Sequence, residues 1–233
     1  MAKVVLFVDE ANLYGHVKPY FLVREAEALA ETGHQIKCVV DPVALGRLAI
    51  AQCVRARLLP AEVSDNPDLQ IVMCCGIPQI QTWPSYTTYG PVKRIWQEQS
   101  NPEEGIEVQV RDRPNHIIWE NKRPVGEKQD GIDVLVGVEL VYEALAAPER
   151  CDVLMLLTGD TDLGHAAEKV NTIRVDQFPE APMTPFITVG WEKPVKKRPK
   201  LPFCRLSDMH LTEARLELDP TALSTTRVGP RQR

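Results

Sequence analysis

Leu154-Met155-Leu156-Leu157-Thr158-Gly159-Asp160-Thr161-Asp162 is the stretch that decides the fold. An unbroken apolar run ends there in two carboxylates one residue apart. Val4-Val5-Leu6-Phe7-Val8-Asp9-Glu10-Ala11-Asn12 repeats the arrangement near the start of the chain. Strands that are apolar on both faces belong inside a parallel sheet covered by helices. Further strands are predicted at 35–40, 69–75, 106–110, 117–119, 152–157 and 185–191, the first strand being 4–9. Helical spacing is read at 20–31, at 43–59 behind the cap Asp41-Pro42, and at 91–99, 132–147 and 163–171. The stretches 12–18, 79–90 and 120–131 read as loops. Alternation of this kind implies an α/β protein, a three-layer sandwich with a parallel central sheet.

A chain of 233 residues suits one such domain with a short extension. The expected division is a domain over 1–191, a basic linker and docking segment over 192–218, and a disordered tail over 219–233. Six cysteines stand at no zinc-ligand spacing, and several fall in apolar runs, which points to core thiols in a reducing, cytoplasmic setting. No N-terminal leader is expected, and no apolar run reaches the roughly 20 residues that span a bilayer, so no membrane association is expected.

The net charge of −5 argues against a generic nucleic-acid coat protein. It leaves room for a nuclease, whose clustered acids pull the total negative while a basic rim stays local. Lys193-Pro194-Val195-Lys196-Lys197-Arg198-Pro199-Lys200 is such a rim, or equally a solvated, proline-stiffened linker.

The acids carry the chemistry. Asp9 and Asn12 follow the first strand, Asp133 opens the long 132–147 helix, and Asp160 and Asp162 follow the 152–157 strand. In open α/β sheets ligands bind at the C-terminal strand ends. Carboxylates gathered there repel one another until a hard divalent cation neutralises them. Mg²⁺ or Mn²⁺ suits an all-oxygen set, and such an ion is what phosphodiester hydrolysis needs. Asn12 adds a neutral oxygen or orients a water, while Thr158 and Thr161 are placed to hold the carboxylates by hydrogen bonds. Asp162 alone is equally well read as a helix N-cap. The geometry requires the 4–9 and 152–157 strands to be neighbours, and the 120–131 loop to carry Asp133 back over the crevice.

Three blocks give these acids a family likeness. They are Val8-Asp9-Glu10-Ala11-Asn12-Leu13-Tyr14-Gly15, Glu127-Lys128-Gln129-Asp130-Gly131-Ile132-Asp133-Val134-Leu135-Val136, and Leu157-Thr158-Gly159-Asp160-Thr161-Asp162-Leu163. In this order the chain resembles the NYN domain family, a branch of the PIN-like ribonuclease superfamily, over roughly residues 1–190. The resemblance implies a PIN-like sandwich and a Mg²⁺- or Mn²⁺-dependent endoribonuclease. It implies catalytic and metal roles for Asp9, Asp133, Asp160 and Asp162, with Asn12 in support. Asp130-Gly131 is a small insertion relative to the family pattern, and Glu139 stands where an aspartate is frequent. Glu139 lies about 240° around the helix from Asp133 and so does not share its face.

RNA is the expected partner, with Lys128 meeting a phosphate and Tyr14 stacking on a base. Lys128 is equally suited to pairing with Glu127. Trp83, Tyr86 and Tyr89 offer further stacking surfaces, although Trp83 is better read as a loop anchor. His16 and His165 read as helix or loop surface. There is room for a protein partner and for a homo-oligomer. The competing class is a non-catalytic NYN-fold regulator that binds RNA or a protein. Dinucleotide fingerprint, P-loop and nucleophile-elbow motifs do not occur.

Overall fold

A computed structural model describes residues 2–146, 151–160, 186–191 and 202–223, with helical positions at 163, 166, 168, 169, 172 and 176 between them. Asp162, His165, the basic run 193–200, the tail from 224 and most of the helix expected at 163–171 lie outside the described residues. In chain order the elements are β1 (Lys3–Asp9), α1 (Glu10–Thr32), β2 (Lys37–Val40), α2 (Pro42–Arg55), β3 (Asp68–Ile77), α3 (Pro84–Glu98) and β4 (Ile106–Pro114). There follow β5 (His116–Glu120), β6 (Arg123–Lys128), α4 (Ile132–Ala146), β7 (Val153–Leu157), β8 (Phe186–Gly190), β9 (Phe203–Arg205), α5 (Asp208–Glu213) and β10 (Arg215–Leu218).

The central sheet has six strands in the order β4-β3-β1-β7-β8-β9, every neighbouring pair parallel. Its two faces carry separate cores. Val4, Leu6 and Val8 of β1 pack with α1, α2 and α5, whereas Val5 and Phe7 pack with Ile132, Val136, Leu140 and Ala144 of α4. That alternation explains why β1 and β7 read as continuous apolar runs: each successive side chain enters a different dry layer. The molecule is a three-layer α/β sandwich, as the sequence predicts.

Four local readings change. The expected 12–18 loop is helix, because α1 starts directly at Glu10 with Asp9 as its N-cap. Gly15 and Pro19 hid a stripe of buried residues at Leu13, Val17 and Phe21, spaced four apart. The expected 79–90 loop is likewise mostly helix: α3 begins at Pro84, a residue whose missing N–H costs nothing in a first turn. The charged 120–131 loop contains β6, which pairs with β5 through Asn121 and Lys122, both at positive φ (48° and 64°) as a primed hairpin turn requires. Finally, the stretch 132–147 is apolar nearly all round, which suits a helix packed between sheet and neighbours, yet in α4 Val134, Val138 and Tyr142 are exposed.

Residues 202–223 belong to the same body. β9 extends the central sheet beside β8, and β10 pairs antiparallel with β2 in a separate two-stranded sheet. Ser207 caps α5, which reaches α1 through Asp208: its carboxylate accepts hydrogen bonds from Tyr20 Oη (2.9 Å) and faces His16 Nε2 (3.1 Å). Order also runs past the boundary expected at 219, since Pro220–Leu223 forms a 3₁₀ turn with Leu223 buried. All six cysteines are buried free thiols. Among the described residues no helix is long and apolar enough to cross a membrane.

Candidate acidic site at the strand tips

β1 and β7 are neighbours, with Val8 opposite Leu157, so their C-terminal tips lie side by side. Asp9 follows Val8 and Thr158 follows Leu157. The Thr158 hydroxyl donates to Asp9 Oδ2 at 2.9 Å and accepts from the Asp160 backbone N–H at 3.0 Å. One buried threonine thereby fixes the Asp9 carboxylate and the backbone of Asp160 together. Asp9 Oδ1 accepts the N–H of Asn12 at 3.3 Å, which caps α1 and holds the second oxygen.

Burial pushes the Asp9 carboxyl above its ordinary range. The Thr158 and Asn12 hydrogen bonds pull it back, and the negative charges of Asp160 and Asp133 push it up further. Asp133 therefore does come within electrostatic reach of Asp9, although it lies exposed in the first turn of α4. Three of the four acids expected at the site are thus drawn towards one crevice, and the fourth, Asp162, is outside the described residues.

Gly159 is a packing requirement. A Cβ there would meet Asn12 Oδ1 at 2.7 Å and the Trp191 ring at 3.3 Å. Asn12 consequently lies against the β7 tip, beside Asp160. Among the described residues, the buried indole N–H of Trp191 has no hydrogen-bond partner.

Other expectations are placed as follows. Lys128 is exposed at the end of β6, opposite His116. It does not pair with Glu127, whose carboxylate is committed elsewhere: it accepts from the backbone N–H of Gln79 (2.7 Å) and of Ile80, and from Asn115 Nδ2 (3.0 Å). Tyr14 is half-buried against the core, and burial, then Glu10, Glu25 and Cys38, raises its phenol pKa. Glu139 faces Arg111 at 3.5 Å. Tyr89 points inward to Asp112 and Cys75, whereas Tyr86 is exposed.

Sequence reasoning missed Glu10. Burial, followed by the adjacent Asp9 charge, pushes its carboxyl up to about 7. Its charge also raises the Cys75 and Tyr14 groups, so it serves the layer opposite α4. The available signal was a second acid immediately after the strand-tip aspartate.

Among the described residues, no group of three His, Cys, Asp or Glu side chains is gathered closely enough to hold a metal ion. This still fits a hydrated Mg²⁺ or Mn²⁺, which needs only one or two protein carboxylates and completes its octahedron with water. The donor set near Asp9 is all oxygen, and its members repel one another, as such a site demands.

Fold and site together define an α/β protein with an acidic strand-tip crevice. No family model and no curated protein matches the sequence. A crystal structure of a protein of unknown function from Vibrio parahaemolyticus aligns over 88% of this chain and 93% of that one, at 13% identity and a TM-score of 0.38.

Proposed function

We propose that this chain is a metal-dependent endoribonuclease of the NYN type, hydrolysing RNA phosphodiester bonds in the crevice above β1 and β7. The observation that carries the reading is the electrostatic convergence of Asp160 and Asp133 on a buried, hydrogen-bonded Asp9. Burial raises the Asp9 carboxyl first, the Asp160 and Asp133 charges add to it, and a cation ligand would offset both.

Asp9 and Asp160 would hold the ion, with Asp133 adding negative charge from the α4 side. The expected cation, Mg²⁺ or Mn²⁺, supplies an activated water near neutral pH and neutralises charge on the phosphate. Thr158 orients Asp9 by its 2.9 Å hydrogen bond. Asn12, in the first turn of α1, would add a neutral oxygen beside the β7 tip. The preference for RNA over DNA rests on the family resemblance.

A second reading is favoured by the absence, among the described residues, of a ready three-ligand group: an NYN-like fold that binds RNA or a protein without cutting. Calorimetric titration with Mn²⁺, combined with cleavage of a single-stranded RNA, separates the two. The nuclease reading expects saturable Mn²⁺ binding that Asp9→Asn abolishes, and Mn²⁺-dependent cleavage lost in the same variant. Absence of both from the folded wild-type protein would sink it.

A further inference from the structure

The two-stranded β5–β6 hairpin is the part of the molecule that the acidic site leaves unexplained. It follows the C-terminal end of β4, the same sheet edge that holds Asp9. Its apolar residues face water: Trp119 is 60% exposed, Val125 46% and Ile118 42%. An exposed tryptophan on an ordered strand is costly unless something covers it.

The charges on and below the hairpin have one sign in excess. Residues 111–128 contain five Lys or Arg against three Asp or Glu, in a chain whose net charge is −5. One of the three acids, Glu127, is turned inward to the 79–80 backbone. Arg111 pairs with Glu139. Among the described residues, Arg113, Lys122, Arg123 and Lys128 form no ion pair.

Arg113 links this basic run to the acidic crevice. Gly131 sits at φ +73°, and a Cβ placed on it would come within 2.8 Å of Arg113 Nη1. The guanidinium therefore covers the chain two residues before Asp133. Cations thus run from the start of α4, past Arg113 and Lys128, to Arg123 and Lys122 at the hairpin tip, with Trp119 among them.

We propose that the β5–β6 hairpin is a binding arm for single-stranded RNA, with Trp119 stacking on a base and Arg113, Lys122, Arg123 and Lys128 meeting phosphates. An indole face tolerates any unpaired base, and exposed cations in no ion pair among the described residues can replace the counterions of a polyanion. A strand held along this line has one end at the hairpin tip and the other beside Asp133. The proposal extends the nuclease reading by assigning how its substrate is gripped, and it rests on that reading for the choice of RNA.

The test measures binding of a fluorescein-labelled dodecauridylate to the full-length protein in EDTA, where cleavage is silent, over a range of salt concentrations. Trp119→Ala is expected to weaken binding on the order of tenfold, and Trp119→Phe to retain most of it. The triple variant Lys122→Ala/Arg123→Ala/Lys128→Ala is expected to flatten the slope of log K against log salt by about 2. Wild-type tryptophan emission should be quenched by the oligonucleotide, and the quenching lost in Trp119→Phe but kept in Trp83→Phe, since Trp96 and Trp191 are buried and Trp83 is half-buried.

Circular dichroism and thermal melting establish that each variant folds. Wild-type affinity and salt slope in both alanine variants would overturn the arm, as would a wild-type protein that does not bind the oligomer. So would hairpin variants that bind RNA normally but lose a protein partner. The nuclease reading fails separately: an arm that binds RNA, in a protein that cuts none with Mn²⁺, leaves the arm standing and removes the catalysis.

Discussion

Two aspartates at the same edge of the same sheet have opposite surroundings. Asp112, near the end of β4, accepts hydrogen bonds from Tyr89 and Lys93. Burial pushes its carboxyl up, but those bonds and the Lys93 charge more than reverse this and hold it below the ordinary range. Asp9, at the end of β1, has among the described residues a threonine hydroxyl and a backbone N–H for donors, and the charges that act on it there are other carboxylates. One site is neutralised from within, and the other is left with a deficit of positive charge. A buried acid whose counter-charge comes with the chain is architecture; one whose counter-charge is missing is a candidate for chemistry.

The sharpest way to break this contrast is activity. Asp9→Asn should lower Mn²⁺-dependent RNA cleavage by about a hundredfold or more, whereas Asp112→Asn should leave turnover of the folded fraction near wild type. Equal losses, measured as kcat on folded protein, would erase the distinction.

Stability comes next. Lys93→Met strips the cation from a largely buried carboxylate and should cost about 2–3 kcal/mol in urea unfolding at pH 7. Gly159→Ala should cost about 1–3 kcal/mol, because Asn12 and Trp191 must both move to admit the methyl group. Asp9→Asn should have the reverse sign. Removing one of several repelling carboxylates while keeping an N-cap should raise stability by about 1 kcal/mol, a few degrees in melting temperature.

Acid should separate the two aspartates by sign. The stabilisation from the depressed Asp112 is complete above the carboxyl pKa of the unfolded chain, and it is lost as pH falls through the lower folded value. The Lys93→Met deficit should therefore shrink in acid. Asp9 is raised, so its cost grows as pH climbs from the unfolded value through the folded one, and the gain from Asp9→Asn should vanish below that window. Melting curves from pH 3 to 8 on both variants provide the check. A stability gain for Asp9→Asn that persisted undiminished at pH 3 would remove like-charge repulsion as its cause.

How legible these features were depends on how far apart in the chain their determinants lie. The buried strands announced themselves locally, because the five consecutive apolar residues Val4 to Val8 before Asp9 leave no wet face. The Asp41-Pro42 cap was equally readable, and Asp41 does accept the Ala44 N–H at 2.9 Å. The pairing of β1 with β7 was a condition that the site reading imposed, and the sheet meets it.

Long-range hydrogen bonding was not legible. Glu127, in a block that seemed to belong to the site, instead accepts from backbone donors nearly fifty positions away. Glycine and proline misled as punctuation at Gly15, Pro19, Gly90 and Pro91, which lie inside helices whose tertiary packing outweighs the local penalty. The β5–β6 hairpin escaped because Asn121-Lys122 lacks the glycine that usually marks such a turn.

The pairing of β2 with β10 has a consequence for biosynthesis. Val40 stands opposite Arg215, so an early strand waits for one encoded 175 positions later. At roughly 5–20 residues per second, translation leaves that edge bare for about 10–35 seconds. A nascent chain stalled in this interval exposes an unpaired strand to its neighbours, which gives ribosome-associated chaperones something to cover.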